Sequence, residues 1–219
     1  ELDYSMKTLT EHPAKFSQVI LENILPHVEE INPKNILDPF AGQGGVHWLR
    51  QFGFNTVGVE LEPEWACQSP HTIVGDALNL PFSDETFDCV ISSFCYGNRL
   101  ADNYVPKDDS KRFSYRISLG RPLSNGSGAA FQWGKQYRDF HMKALLEVRR
   151  VLQPNGTFIL NMSNHIRDKK VVNVVDWYIS RLDMLGFNIV TVQNIPTPRM
   201  GFGANGKSRV EFEQIIVCR

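Results

Sequence analysis

At 219 residues, with 42% hydrophobic and 21% charged side chains, the chain has the length and composition of one folded domain with a full core, and little is left for a second. A formal net charge of −1 gives no global sign of a nucleic-acid partner, so any electrostatic case rests on where the charges sit. No apolar run reaches the length of a bilayer span, and Cys67, Cys89, Cys95 and Cys218 lack the C-x-x-C and histidine spacing of a zinc site. The expectation is a cytoplasmic protein with reduced thiols, no membrane contact and no metal.

Strand-like and helix-like segments alternate along the chain. Residues 14–25 place Phe16, Val19, Ile20, Ile24 and Leu25 at helical spacing, and Pro26 is expected to close that helix. Asn35 to Asp38 reads as a short strand entering a glycine-rich turn at Ala41 to Gly45, followed by a helix through Val46 to Arg50 that Gly53 ends. Residues 54–59 make a second strand finishing at Glu60, and His71 to Val74 a third finishing at Gly75-Asp76. Phe87 to Ser92 is a fourth, apolar enough to be central and buried. Residues 134–152 carry a helix with Ala144, Leu145, Val148 and Leu152 inward, and Pro154-Asn155-Gly156 turns the chain into a strand at Thr157 to Asn161. A helix over roughly 171–185 ends at Gly186, and strands follow near 187–193 and 210–217.

This alternation predicts an α/β, doubly wound, mostly parallel seven-stranded sheet in one domain over 1–219. The last two strands have no room for a helix between them and are expected to pair antiparallel at the sheet edge. The stretch 97–133 breaks the rhythm, being rich in Gly, Ser, Asn, Arg and aromatics without a period. A loop of that length inside a domain is expected to meet substrate.

The strongest local signal is Asp38-Pro39-Phe40-Ala41-Gly42-Gln43-Gly44-Gly45, directly after the first strand. Small residues let the backbone approach a ligand, and the carboxyl end of a strand is where open α/β sheets bind one. The turn has neither G-x-G-x-x-G spacing nor the Lys-Ser/Thr of a phosphate loop, so a pyrophosphate is not its expected ligand. In these residues the chain resembles class I S-adenosylmethionine-dependent methyltransferases, of Rossmann-like fold, and DPFAGQGG is similar to the DPFxGxG form of DNA amino-methyltransferases. The resemblance implies that Asp38, Pro39, Phe40, Ala41, Gly42 and Gly44 hold the methionine end of S-adenosyl-L-methionine. It also implies that Glu60 accepts hydrogen bonds from both ribose hydroxyls, and that Asp76, with Ala77 beside it, meets the adenine amino group. His12-Pro13-Ala14-Lys15-Phe16 resembles the HPxKp motif beside the methionine end, which adds His12 and Lys15. Glu147 to Gly156 resembles the structural segment that precedes the fifth strand in this family.

At the end of the fourth strand stands Ser93-Phe94-Cys95-Tyr96, where amino-methyltransferases carry [D/N/S]-P-P-[Y/F/W]; the ends match and both prolines are absent. The resemblance implies that Ser93 and the Phe94 carbonyl accept hydrogen bonds from the exocyclic amine of a flipped base, with Tyr96 stacking on it. Transfer from a sulfonium needs positioning more than a strong base. Cys95 opens a rival reading as the nucleophile of a C5-pyrimidine methyltransferase. Such a thiolate needs exposure and a depressed pKa, and the partner glutamate of that family is not matched in Leu160-Asn161-Met162-Ser163-Asn164-His165.

From Gly97 to His141 eight basic side chains face four acidic ones, interleaved with Tyr104, Phe113, Tyr115, Phe131, Trp133 and Tyr137. Cations neutralise phosphates and aromatics stack on bases, so Asn98, Arg99, Arg112, Arg116 and Trp133 are the expected substrate contacts. The region also resembles small phage- and bacteria-associated methyltransferases containing SPxYGNRmAD and QWG, matched at Ser93, Tyr96 to Arg99, Ala101-Asp102 and Gln132 to Gly134. The activity this implies is methylation of adenine N6 or cytosine N4 in DNA, single- or double-stranded. Beside it stand the C5-pyrimidine reading, an inactive cofactor-binding partner subunit, and a small-molecule methyltransferase under a closing lid. His141 and His165 read as structural.

Overall fold

The computed structural model describes residues 11–97, 115–167, 169–197 and 210–219. Five strands, β1 (Ile36–Asp38), β2 (Thr56–Glu60), β3 (Thr72–Val74), β4 (Phe87–Ser92) and β5 (Leu152–Met162), run parallel. A hairpin of β6 (His165–Arg167) and β7 (Lys170–Val172) stands apart, and β8 (Ile189–Pro196) and β9 (Phe212–Cys218) complete the main sheet in the order β3-β2-β1-β4-β5-β9-β8. β9 lies antiparallel between β5 and β8, with Leu160 opposite Ile216 and Asn161 opposite Ile215. The predicted doubly wound sheet with its antiparallel edge is therefore present.

The central strands are apolar on both faces because helices cover both. On one face Ile36, Cys89, Ile91, Ile159, Ile215 and Val217 pack with α1 (Gln18–Ile31) and the 3-10 helix Gly45–Phe52. On the other, Leu37, Val90, Phe158, Leu160 and Ile216 pack with α4 (Lys135–Val151) and α5 (Val174–Met184). Two shorter helices, α2 (Pro63–Ala66) and α3 (Tyr115–Leu119), lie outside this layering and were not legible as periodic segments.

Several expected boundaries move. Pro26 does not end α1, which begins at Gln18 behind the Ser17 cap and continues to Ile31. A helix-interior proline costs about 3 kcal/mol, whereas Ile20, Ile24 and Val28 on the same helix are fully buried, each contributing roughly 1.5–3 kcal/mol. Burial wins, and Asn32 closes the helix instead with a left-handed φ of 51°. The segment expected as a helix through Val46 to Arg50 winds as a 3-10 helix and stops at Gly53 as read. Pro154-Asn155-Gly156 lies within the span of β5, in a bulge where register jumps from Phe87 opposite Leu152 to Cys89 opposite Thr157. The helix expected from about 171 starts at Val174, because Lys170–Val172 is taken by β7.

Candidate functional site

At the carboxyl ends of the parallel strands lies a cavity of about 660 Å³, within the roughly 300–1,000 Å³ of small-ligand pockets. Residues 39–45, 60–62, 75–77 and 93–96 form its floor, and residues 12–16, Tyr115 and 126–129 form its cover. The glycine turn shapes one end. Gly42 and Gly44 take positive φ values of 52° and 84°, and a Cβ on Gly44 would stand 2.4 Å from the His47 ring. His47 is fixed in turn by Thr56 at 2.7 Å and Thr72 at 2.8 Å.

Two buried carboxyls tie the turn to the sheet. Glu60 accepts hydrogen bonds from the Gly42 and Glu62 N–H groups, both at 2.9 Å, and burial pushes its carboxyl up to about 7. Its two oxygens are acceptors, the chemistry that a pair of hydroxyl donors calls for. Asp38 lies beneath the turn, fully buried, accepting from the Phe40 N–H at 3.0 Å and the Ser92 hydroxyl at 2.7 Å. Burial raises it to about 7 as well. It is not among the cavity-lining residues; it joins the ends of β1 and β4, so its part is to position the turn. Pro39, Phe40 and Ala41 do line the cavity, as do Asp76 and Ala77. Asp76 is exposed at the rim, one oxygen capping its own turn at the Leu78 N–H, 2.9 Å away.

His12 and Lys15 reach the cavity from the cover. The His12 ring packs against Trp65 at 4.2 Å and Tyr115 at 5.4 Å, and burial lowers it to about 4, leaving it neutral. Lys15 is exposed and pairs with Glu11 at 2.5 Å. The cover is latched by Arg121, whose guanidinium donates to Glu62 at 2.7 Å and forks onto Glu64 at 2.7 and 2.5 Å. Ser124 adds its N–H and hydroxyl to Glu62, both at 2.8 Å. Glu62, 1% exposed, is thus a structural acid that sequence alone does not single out.

The loop after β4 is held without its prolines. Phe94 is buried between Phe40, at a ring separation of 4.5 Å, and His141, at 5.7 Å, while Tyr137 donates to the Cys95 carbonyl at 2.8 Å. The Cys95 thiol is pushed up to about 12, by burial first and then by the Glu60 and Asp38 carboxylates. Cys95 is half-buried and lines the cavity, but this shift runs opposite to the depressed pKa that a cysteine nucleophile requires. Tyr96 lines the cavity and donates to Glu213 at 3.2 Å. Asn161 donates to Glu213 at 2.8 Å, to Tyr96 at 3.2 Å and to Ser93 at 3.4 Å. Asn161 and Glu213 also line the cavity and were missed in the sequence. The one available signal was a polar residue closing the apolar run Thr157 to Leu160.

The expected substrate contacts divide. Asn98, Arg99 and Arg112 lie outside the described residues. Arg116 is exposed on α3, and neither it nor Trp133 is among the cavity-lining residues. The Trp133 ring packs on Tyr137 at 5.3 Å and Trp177 at 5.9 Å, with the Arg138 guanidinium 5.5 Å from its centre. The backbone N–H of Trp133 donates to the Gly97 carbonyl at 2.7 Å, so it braces the base of the loop. Of the other cations counted in the insert, Arg121 is committed to Glu62 and Glu64, and Lys135 to Asp139.

Residues 37–101 match the family described as a methyltransferase domain. The chain is 40% identical over 77 residues to norajmaline N-methyltransferase of Rauvolfia serpentina, a stretch covering 29% of this chain and 26% of that enzyme. The chain thus spans about a quarter of the length of that curated relative. Among solved structures it is similar to 1,6-didemethyltoxoflavin-N1-methyltransferase of Burkholderia thailandensis, bound to 1,6-didemethyltoxoflavin and S-adenosylhomocysteine, with TM-score 0.54, 16% identity and coverage of 92% and 77% of the two chains. A SAM-dependent methyltransferase of Methanosarcina mazei gives TM-score 0.56 at 14% identity, covering 94% and 98%. The sheet order and the matched domain together place this chain among proteins of the class I methyltransferase fold, the Rossmann-like fold of S-adenosylmethionine-dependent enzymes.

Proposed function

We propose that the protein is an S-adenosylmethionine-dependent methyltransferase that acts on a nitrogen of a compact acceptor held inside the covered cavity. The observation that carries this reading is the continuity of one cavity from the glycine turn and Glu60 to Ser93 and Tyr96. The residues present fit the cofactor: positive-φ glycines cradle its amino-acid end, and Glu60 and the 75–77 turn stand where ribose and adenine need acceptors. When bound, the cofactor supplies a methyl group already activated by its sulfonium. The protein's part is positioning. Ser93 and the Phe94 carbonyl orient an N–H, Tyr96 flanks the acceptor, and the cover latched by Arg121 excludes water.

A covered cavity and the engagement of Arg121 with Glu62 and Glu64 favour a free acceptor over a duplex, and the nitrogen-directed relative and structural neighbour named above agree. The second reading, transfer to adenine N6 or cytosine N4 of DNA, is favoured by Ser93 and Tyr96 at the cavity wall, matching the ends of the amino-methyltransferase tetrapeptide. Labelled cofactor incubated with aromatic amines, single-stranded oligonucleotides and duplex DNA decides between them. Label on amines alone supports the first. Label on DNA, with affinity falling steeply as salt rises, supports the second. No bound cofactor and no label would leave only the fold.

A further inference from the structure

Two tyrosines that do not border the cavity direct a chain of hydroxyls at the loop that does. Tyr137 on α4 and Tyr178 on α5 are both fully buried, and their hydroxyls stand 3.0 Å apart. The Tyr137 oxygen lies 2.8 Å from the Cys95 carbonyl, which can only accept, so Tyr137 donates to the loop and Tyr178 donates to Tyr137. Donation into the Tyr137 oxygen strengthens its own bond onward, so the two act as one directed chain. Burial raises both phenols, which keep their protons throughout the neutral range. The same helix α4 grips the loop on either side of Cys95. The His141 ring stacks on Phe94, one residue before, and a Cβ on Gly97, two residues after, would stand 2.9 Å from the Tyr137 ring. Tyr96, between clamped neighbours, borders the cavity beside Ser93. Two phenylalanines would fill the space of Tyr137 and Tyr178 without burying a polar group, so what the hydroxyls add is direction.

We propose that this hydroxyl chain positions the transfer site, holding loop 93–96 so that Ser93 and the Phe94 carbonyl meet an acceptor N–H where the methyl group arrives; this rests on the methyltransferase reading and adds the residues that set its geometry. Phe94 also packs on Phe40 of the glycine turn at 4.5 Å, so the loop is tied to the cofactor cradle on one side and to α4 and α5 on the other. Prolines would stiffen such a loop from within, by fixing φ. Here the restraint comes from outside. A carbonyl bonded to a buried hydroxyl cannot rotate without leaving both groups unpaired. Methyl transfer depends on alignment, and a misplacement of about 1 Å can cost roughly a hundredfold in rate. Tyr137 and Tyr178 act through the loop and are positioning residues in this scheme.

The test needs no acceptor. Sinefungin carries an ammonium-bearing carbon in place of the methylated sulfur of S-adenosylmethionine, so its N–H donors project to the position of the transferred methyl; S-adenosylhomocysteine lacks them. Calorimetry on the parent should show sinefungin binding about tenfold more tightly, since the loop acceptors meet its ammonium. In Tyr137→Phe that preference should fall to within about twofold, while S-adenosylhomocysteine affinity stays within about twofold of the parent's. Tyr178→Phe leaves the Tyr137 bond to Cys95 in place and should give a preference of about fivefold, so it carries the test if Tyr137→Phe does not fold. With carbonyl-13C cysteine incorporated, the Cys95 resonance, identified by its loss in Cys95→Ser, should move upfield in Tyr137→Phe and by a smaller step in Tyr178→Phe. A tyrosine pair that serves only packing would lower the melting temperature when changed and leave the ligand preference intact. Equal affinity for the two ligands in the parent, an undiminished preference in both variants, or an unmoved Cys95 resonance would overturn the assignment. Should neither ligand bind, the methyltransferase reading falls and the positioning role with it; S-adenosylhomocysteine binding without a sinefungin preference sinks the positioning role alone.

Discussion

The proposed ribose role of Glu60 predicts cofactor binding that depends on pH near neutrality. Burial holds its carboxyl at about 7, against an ordinary value of 4.5, while the Glu62 and Gly42 N–H groups pull it down and the Glu62 charge pushes it up. A carboxyl that accepts from ribose hydroxyls must be ionised in the complex, so binding favours the ionised form and expels a proton from the protonated fraction. With a midpoint near 7, roughly a tenth of the sites are ionised at pH 6 and about nine-tenths at pH 8. Affinity for S-adenosylhomocysteine, chosen because its sulfide is neutral, should therefore rise about tenfold across that window, close to ~1.3 kcal/mol. The same raised acid destabilises the cofactor-free fold as pH climbs from about 4.5 to about 7, since the unfolded carboxyl ionises first. Titration calorimetry at pH 6, 7 and 8, in two buffers of different ionisation enthalpy, reads both the affinity and the protons released. Glu60→Gln should bind more weakly throughout, because its amide must turn a donor toward one of the two backbone N–H groups, and should lose most of the slope. Asp38, also near 7, accounts for any remainder. An affinity that stays flat from pH 6 to 8, or an identical slope in Glu60→Gln, would refute the ribose assignment.

Gly44→Ala forces a side chain into a left-handed φ of 84° and against His47, and should cost about 2 kcal/mol or more. Differential scanning should show a melting temperature lower by roughly 4–8 °C, together with weakened cofactor binding; an unchanged melting curve would contradict the turn geometry. Arg121→Met leaves the buried Glu62 with Ser124 alone, at about 1–3 kcal/mol, and should loosen the cover enough to speed cofactor release in stopped-flow fluorescence. Release at the parent rate would show that the latch is not needed. Cys95→Ala should keep methyl transfer within about threefold, since a thiol held near 12 supplies no thiolate; abolished transfer would restore the covalent mechanism.

The parallel strands were legible because each is a short apolar run bounded by turn residues and buried on both faces, as Val90, Ile91, Leu160 and Ile159 show. The glycine turn was legible because its constraint is local: positive φ at Gly42 and Gly44 follows from residues adjacent in sequence. What depends on tertiary packing was not. Pro26 reads as a stop, yet Val28 lies in the core and carries α1 past it. The missing prolines after β4 suggest a loose loop, while Phe94 and the Tyr137 hydroxyl hold it by contacts from elsewhere in the chain. Trp133 reads as a stacking platform for substrate, yet its ring is taken by Tyr137 and Trp177. Asn161 and Glu213 meet only through the β5–β9 register, which no local pattern encodes.

The most direct test is a crystal structure of the protein grown with S-adenosylhomocysteine. The cavity predicts density with the amino-acid end in the bend of residues 39–45, the ribose on Glu60, and the sulfur facing Ser93 to Tyr96. Cofactor density elsewhere on the molecule, or a bend closed by its own side chains and empty of ligand, would contradict it.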